Sequence, residues 1–175
     1  VKTDRGTSLS ITDQHPLLTL TDQGLQWKST GLLEEGSYIG TTTVTYDSQS
    51  DIRTDDAYFI GLFVAEGTAH PLSISNYDER INEKLHSYIR NRFGREPTYS
   101  REKGRTLLFE TIRPILGDVS NTHAGTKYIP ESVLTGSLEI QKAFFSGYAD
   151  GDGYISNCSE FTTKSKKLAT QLSYL

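Results

Sequence analysis

The chain has 175 residues, of which 35% are hydrophobic and 23% charged, so it can form one or two small globular domains. No apolar run approaches membrane-spanning length and no signal peptide is recognisable, so we expect no membrane partner. The net charge of −4 argues mildly against nucleic-acid binding. The single cysteine, Cys158, excludes an intramolecular disulfide and fits a reducing, intracellular setting, which we expect to be the cytoplasm.

Residues 1–46 are predicted to be rich in β-structure. Four segments with strand-like composition are separated by turns containing Gly, Asp or Pro: SLSIT, PLLTL, LQWKS and YIGTTTVTY. Residues 47–56 are polar and are predicted to be a linker. The chain contains no Met, begins at Val1 and ends at Leu175 within a predicted helix, so we expect an interior piece of a longer polypeptide.

Residues 57–175 are predicted to mix helices and strands. The first predicted helix runs from a cap at Asp55 or Asp56 to Gly67, and a strand follows in PLSISN. A second helix runs from a capping box of Asn76 and Glu79 through Arg92 and stops at Gly94, and the next element is a hairpin in PTYSREKGRTLLFE that turns at Lys103-Gly104. The remaining elements are a short helix around 112–116, a second apolar helix ending at Gly153, a strand in GYISNCSEFTT and a last helix capped by Ser165.

Two segments of this region match each other: AYFIGLFVAEG at 57–67 and AFFSGYADGDG at 143–153. Both are apolar, and both carry small residues four positions apart, Gly61 with Ala65 and Gly147 with Gly151. Small residues at this spacing lie on one helical face and let two helices approach closely. The sequence therefore predicts two helices packed side by side.

An acidic residue followed by glycine ends each matched segment, Glu66 in the first and Asp152 in the second. Paired helices would bring these carboxylates together, and converging carboxylates suit a divalent cation. Taken singly, each segment also fits a plain core helix, but the repetition favours a duplicated architecture. A calcium loop containing Asp150 and Asp152 is rejected, because its remaining ligands and closing Glu are absent at the required offsets.

The segments FIGLFVAEG and FSGYADGDG resemble the namesake motif of the LAGLIDADG (DOD-type) homing endonucleases, which carry it twice. The resemblance implies an α+β fold with a duplicated core, whose halves pack through the motif helices and offer sheets to the major groove of double-stranded DNA. It further implies that Glu66 and Asp152 hold Mg²⁺, and that an activated water attacks each scissile phosphate to give a staggered double-strand cut.

A third block, HAGTKYIP at 123–130, resembles the segment between the two motifs in intein-borne members of that family, which carries a lysine near the metal. Lys127 is the matching residue, and it would stabilise negative charge on the phosphate or polarise the attacking water. The alternative is a surface lysine beside a helix-starting proline. Lys164, in FTTKSKKL, is the nearest candidate for a second catalytic or DNA-contacting lysine.

Basic residues cluster at 90–105 despite the acidic net charge. If 96–110 form a hairpin, strand alternation would put Arg101, Lys103 and Arg105 on one face suited to the major groove. The alternative for each basic residue is an ordinary solvated surface.

The N-terminal region carries a resemblance of its own. ITDQHPLLTL followed by LQWKSTGLLEEGSYI is similar to the Thr-x-x-His block of intein (Hint) splicing domains, with Thr12 and His15 as the matching pair. In that family the pair polarises the scissile amide and promotes its acyl shift. The alternative is an ordinary His-Pro turn. The N-terminal nucleophile and the C-terminal His-Asn of an intein are absent, so this fragment alone is not expected to splice.

Together these features predict a partial all-β Hint domain (1–46), a linker (47–56) and a truncated LAGLIDADG homing endonuclease domain (57–175). The expected function is Mg²⁺-dependent, site-specific cutting of double-stranded DNA by a monomer with two pseudo-symmetric halves, carried in cis within a host extein protein. The first alternative is a catalytically inactive DNA-binding or RNA maturase-like module. The second is a nuclease without any intein, with 1–46 as an appendage.

Overall fold

The computed structural model describes residues 1–4, 6, 8–41, 52–155 and 159–175, with the backbone alone for 153–155 and 159–160. Contacts divide the chain into two compact units, residues 1–45 and 46–175. Among the described residues, the helices are too short or too polar to cross a membrane.

The first unit is a small antiparallel sheet of β1 (Pro16–Thr21), β2 (Gly24–Ser29) and β3 (Tyr38–Ile39), in the order β2-β1-β3. The predicted strands in PLLTL and LQWKS are therefore present. The predicted strand SLSIT is wrong, because this stretch forms only an isolated bridge between Ser8 and Lys2. The third strand is limited to two residues before position 42, and the rest of YIGTTTVTY lies outside the described residues.

The second unit mixes six helices with six strands among its described residues. They are α1 (Thr54–Glu66), β4 (Gly67–Ala69), β5 (Leu72–Ser75), α2 (Glu79–Phe93), β6 (Thr98–Ser100), β7 (Arg105–Leu107), α3 (Arg113–Leu116), α4 (Glu131–Leu134), α5 (Leu138–Asp152), β8 (Gly153–Ile155), β9 (Ser159–Phe161) and α6 (Lys166–Leu172). Short 3-10 turns at Glu110–Ile112 and Gly117–Asn121 flank α3. The fold class is thus mixed α and β, as predicted.

Two antiparallel sheets lie in this unit, one of four strands in the order β4-β5-β7-β6 and one of the two strands β8 and β9. The single predicted strand GYISNCSEFTT is therefore wrong, since it is a hairpin whose strands pair Gly153 with Phe161. Strand β4 was not predicted. Its three residues, which follow α1 directly, are too few to give a periodic signal.

Helix α2 begins and ends through local backbone chemistry. Its N-cap is Asp78, whose carboxylate accepts hydrogen bonds from the amides of Arg80 and Ile81 at 2.8 and 3.3 Å. The predicted capping box of Asn76 and Glu79 is wrong, because the Asn76 side chain instead accepts from the amide of Asp78. The predicted stop at Gly94 is correct, with a left-handed φ of 62° that favours glycine.

Helix α1 begins earlier than predicted, at Thr54, so residues 54–56 of the predicted linker are helical. Asp56 is a buried anchor rather than a cap. Its carboxylate accepts hydrogen bonds from the hydroxyl of Tyr88 at 2.7 Å and from Nε of Arg92 at 3.1 Å, both on α2. A buried carboxylate needs such partners, so this cluster fixes α1 against α2.

Helices α1 and α5 form the centre of the second unit and pack backbone to backbone. A Cβ atom built on Gly61 would overlap the carbonyl oxygen of Phe144, and one built on Gly147 would overlap that of Tyr58. Only glycine permits this approach, so the predicted close packing of the two matched helices is observed. Buried side chains of both helices, among them Phe59, Leu62, Phe144 and Tyr148, form the core around the contact.

Candidate active site

Glu66 and Asp152 are the last helical residues of α1 and α5, so the close packing of these helices brings their C-terminal ends together. The residue before Asp152 touches the opposite helix. A Cβ atom built on Gly151 would lie 2.5 Å from Cβ of Ala65 and 3.1 Å from Cγ of Glu66. The two acidic residues thus flank the same helix contact.

The two carboxylates occupy an environment that opposes their ionisation. Burial and the negative charge of Asp152 raise the pKa of Glu66 above its ordinary value, against a smaller opposing effect of Lys127. Burial likewise raises the pKa of Asp152, again opposed by Lys127. A bound cation would offset the burial that raises both pKa values and the negative charge of Asp152 that raises the pKa of Glu66, which is a pattern found at metal and catalytic sites.

Lys127 supplies the positive charge of this cluster. It is only 9% exposed, and its ammonium group donates a hydrogen bond to the carbonyl oxygen of Ala65 at 2.9 Å. Burial lowers the pKa of Lys127, while Glu66 and Asp152 act to raise it. The residue predicted from the HAGTKYIP block therefore lies beside both carboxylates rather than on the open surface, although its chemical role stays a prediction.

Asp150, the other acidic residue of the second matched segment, has a different environment. Its carboxylate accepts hydrogen bonds from the hydroxyl of Tyr58 at 2.6 Å and from the ammonium of Lys84 at 3.0 Å. Burial opposes ionisation of Asp150, but these two bonds outweigh it and hold its pKa below the usual value. Asp150 therefore connects α5 to α1 and α2, a role that sequence reasoning missed because Tyr58 and Lys84 are distant in sequence.

Tyr148 lies on α5, four positions before Asp152. It is 1% exposed, and its hydroxyl has no hydrogen-bond partner among the described residues. Burial and the charge of Asp152 raise its pKa to about 12. Tyr148 therefore stays neutral at physiological pH. Its ring stacks on that of Phe144, with the ring centroids 6.4 Å apart.

The basic residues predicted to contact DNA lie mainly at the tip of the β6–β7 hairpin. The hairpin turns through residues 101–104, so Arg101 and Lys103 are in the turn and only Arg105 is in a strand. The prediction that strand alternation places all three on one face is therefore wrong. Arg105 pairs with Ser100 and Ser75 across the sheet, on the face opposite the buried Thr106 and Ile74.

The other side chains of that solvent face are mostly polar. A shallow depression of about 200 Å³ on this face is lined by Arg105, Lys103, Thr98, Ser100 and Leu107. Tyr99 also lines it, but Tyr99 pairs with Thr106, and its ring packs against His86 of α2 on the opposite face. Arg101 lies at the margin of this surface, in a largely exposed ion pair with Glu79 at 3.5 Å. Lys164 is exposed, and no contact joins it to either carboxylate of the site within the part of the chain that is described.

Thr12 and His15 lie in the first unit at the two ends of one turn. The amide of His15 donates to the carbonyl of Thr12 at 3.0 Å, and the carbonyl of His15 accepts from the amide and hydroxyl of Thr30 at 2.9 and 2.7 Å. Both predicted side chains are exposed, immediately before β1. Cys158 lies outside the described residues.

The site brings two carboxylates together, those of Glu66 and Asp152. Over the described ranges, no cluster of three or more His, Cys, Asp or Glu residues is arranged to hold a metal. Mg²⁺ takes few protein carboxylates and completes its octahedral shell with water and phosphate oxygens. Two carboxylates beside a buried lysine therefore fit a cation that is shared with a phosphate substrate.

Comparison with known proteins connects this geometry to a family. The chain is 30% identical over 132 residues to the DNA-directed RNA polymerase subunit Rpo1C of Methanocaldococcus jannaschii, covering 69% of this chain and 15% of that protein. It is 26% identical over 192 aligned positions to the replication factor C small subunit of the same organism, covering 99% of this chain and 10% of that protein. A DNA polymerase of a Thermococcus species is 30% identical over 138 residues, covering 70% of this chain and 8% of that protein.

The chain thus spans only about a tenth of the length of these curated relatives. The family model of the LAGLIDADG-like domain matches residues 139–175. That range holds most of α5, the hairpin of β8 and β9, and α6. Asp152 and most of the helix that carries it therefore lie within the range matched by the LAGLIDADG-like domain.

Proposed function

We propose that the chain is part of an intein and that residues 57–175 belong to its homing endonuclease domain, which cuts both strands of a specific DNA site in the presence of Mg²⁺. The observation that carries this proposal is the convergence of Glu66, Asp152 and Lys127 where two glycine-packed helices end. The match of residues 139–175 to a LAGLIDADG-like domain supports the nuclease class.

Glu66 and Asp152 are the residues that would hold Mg²⁺. Their raised pKa values mean that the folded protein carries a cost for their ionisation, which a bound divalent cation offsets. When bound, Mg²⁺ would supply charge neutralisation at the scissile phosphate and a lowered pKa for a nucleophilic water. Two carboxylate oxygen ligands suit Mg²⁺, whereas metal sites that use soft thiolate ligands, such as many Zn²⁺ sites, need cysteines.

Lys127 would stabilise the negative charge that develops on the phosphate during attack. A buried ammonium group acts in a region of low dielectric, where a fixed charge is worth more than in water. Its hydrogen bond to the carbonyl of Ala65 orients the group before substrate arrives, so no reorganisation is needed during the reaction.

The solvent face of the β6–β7 hairpin, which carries Arg105, is the surface proposed to meet DNA. Arg105 and Lys103 provide positive charge beside the hydroxyl groups of Thr98 and Ser100, a combination that suits phosphate and base-edge contacts. The opposite face is covered by helices, since Thr106 and Ile74 are fully buried. The α5–β8–β9–α6 order repeats the α1–β4–β5–α2 order, which supports two pseudo-symmetric halves in one monomer.

The first unit is proposed to be part of a splicing domain, with Thr12 and His15 acting on a scissile amide. Two observations support this. The exposed side chains of both residues lie on one turn before a β-sheet. Moreover, this chain matches a small part of three relatives with different names: an RNA polymerase subunit, a replication factor and a DNA polymerase. Such matches are expected of a mobile insert that is carried in cis within host proteins.

The nuclease proposal is tested by selecting bound duplexes from a random library and incubating them with the full-length protein and Mg²⁺. A staggered double-strand cut in one sequence supports the proposal. Retained binding without cutting would instead indicate the inactive DNA-binding or maturase-like module. For the splicing proposal, His15→Ala in the full-length protein should slow N-terminal cleavage and leave DNA cutting intact, whereas an equal loss of both would contradict independent regions.

A further inference from the structure

The irregular segment 127–129, which carries Lys127, is held in place by hydrogen bonds from side chains. Residues 127–129 are not part of a regular strand or helix, yet Lys127 and Ile129 are buried at 9% and 1% exposure. Buried backbone amides and carbonyls need hydrogen-bond partners, and an irregular segment cannot find them in its own secondary structure. The N–H of Lys127 donates locally to the carbonyl of His123 at 3.1 Å, but the carbonyl of Lys127 and both backbone groups of Ile129 have partners elsewhere in the fold.

Helix α6 supplies these partners through side chains. The Gln171 amide group binds both backbone groups of Ile129, accepting from its N–H at 2.8 Å and donating to its carbonyl at 3.2 Å. The hydroxyl of Ser165, the N-cap of α6, donates to the carbonyl of Lys127 at 2.6 Å while it accepts from the amide of Leu168. Ser165 is 1% exposed, so the bond is shielded from water.

A third contact lies between these two. The ammonium of Lys167 sits 4.3 Å from the ring centroid of Tyr128, a cation–π contact at the residue between Lys127 and Ile129. Each residue of the segment is thus held by one residue of α6. Because Nζ of Lys127 is bound to the carbonyl of Ala65 on α1, the lysine is fixed at its head by one helix and at its backbone by another.

We propose that Gln171 and Ser165 are positioning residues for Lys127, so that helix α6 sets the geometry of the site. The proposal deepens the nuclease function and rests on it for its effect on catalysis. Its structural part concerns only where Lys127 is held. A lysine displaced by about 1 Å from a reacting phosphate loses on the order of a hundredfold in rate, although the lysine itself is unchanged.

The test compares Gln171→Ala with Thr170→Ala in the full-length protein. Thr170 is the adjacent, exposed residue of α6, and no side-chain contact joins it to 127–129 among the described residues. The first readout is brief lysine acylation at a fixed pH, followed by mass spectrometry, with exposed Lys142 as the internal reference. Loss of the two Gln171 hydrogen bonds should raise Lys127 labelling by about threefold to tenfold, since local opening becomes easier.

The second readout is the single-turnover cleavage rate at saturating selected duplex, measured beside the duplex Kd. Gln171→Ala should lower the rate by about tenfold to a hundredfold and leave Kd unchanged, while Thr170→Ala leaves both unchanged. If Gln171→Ala does not fold, Gln171→Glu takes its place, since it retains the acceptor for Ile129 N–H and loses the donor to the Ile129 carbonyl. The expected direction of both readouts is the same.

The outcomes separate this inference from the function on which it rests. Unchanged Lys127 labelling in a folded variant overturns the positioning role, whatever the cleavage rate does. Raised labelling with an unchanged cleavage rate overturns the catalytic part of the inference. Raised labelling in a protein whose wild type cuts no selected duplex supports the positioning role and instead contradicts the proposed nuclease.

Discussion

Gly147 of α5 lies so close to Tyr58 of α1 that any Cβ atom at that position would overlap the carbonyl oxygen of Tyr58. The reciprocal relationship holds between Gly61 and Phe144. These contacts let the two helices meet through their backbones, and they thereby determine how near Glu66 comes to Asp152.

Gly147→Ala should therefore destabilise the protein by about 1–3 kcal/mol or more, because the added methyl group forces the helices apart in a packed core. Gly125→Ala is the matched control. Gly125 is in a turn, and an added Cβ would meet only the His123 ring at 3.8 Å. Denaturant unfolding measures both variants. Equal stabilities would show that the helices do not pack as described.

Lys127→Met should reduce the rate of DNA cleavage by about a hundredfold to a thousandfold, as expected when one preorganised charge is removed from a transition state. Met keeps most of the length of the buried side chain, so the fold should persist. Duplex affinity should change little, because Lys127 is buried and not part of the solvent face of the sheet. Lys142→Met, on the exposed surface of α5, is the control. A loss of affinity without a loss of rate would assign Lys127 to binding.

Glu66→Gln should raise the melting temperature at neutral pH when divalent cations are removed with EDTA. The pKa of Glu66 is raised in the folded state by burial and by Asp152, so folding favours the protonated form. The stability that protonation provides is fully present below the unfolded pKa, about 4.3, and is lost as the pH rises through the folded pKa. Gln imitates the protonated carboxyl, so its advantage should be present at pH 7 and absent below about pH 4.

The exposed Glu83 of α2 gives the control Glu83→Gln, which should have no comparable pH-dependent effect. A Glu66→Gln protein that melts at or below the wild-type temperature at neutral pH would mean that Glu66 carries no ionisation cost in the fold.

Neutralising Arg101, Lys103 and Arg105 together should weaken duplex binding and flatten its dependence on salt. Each lost phosphate contact removes about one unit from the slope of log affinity against log salt concentration. A variant that neutralises Lys2, Lys28 and Lys142 removes the same charge from other positions, of which Lys2 and Lys142 are exposed and Lys28 is half-buried. If both triple variants lose the same slope, the effect is one of net charge, and the hairpin is not the DNA surface.

The sequence correctly predicted those elements that are determined by residues close together in the chain. The repeated small residues predicted two closely packed helices, Gly94 predicted the end of α2, and Ser165 predicted the start of α6. These features depend on residues within a few positions of each other, so one sequence is enough to reveal them.

Features that depend on tertiary contacts were not predictable in the same way. Asn76 and Asp78 are both good N-caps, and the choice of Asp78 follows from where the chain leaves β5. The short loop of the β6–β7 hairpin at 101–104 determines which residues of that hairpin are in strands, and propensity does not fix such boundaries.

The support of the candidate site was also hidden from the sequence. Gln171 and Ile129 are 42 positions apart, and Tyr58 and Asp150 are 92 positions apart, so no local pattern connects either pair. A polar residue on a helix otherwise looks like part of a solvated face, so only the fold reveals that Gln171 holds a buried backbone.

The central claim is that Glu66 and Asp152 act together on DNA through a shared divalent cation. Its most direct test is Mg²⁺-dependent cleavage of the selected duplex by the full-length wild type, by Glu66→Gln and by Asp152→Asn, with duplex Kd measured for each. The account predicts that either variant loses about a thousandfold or more in cleavage and binds the duplex as tightly as the wild type. Cutting of both strands at the wild-type rate by either variant would contradict it.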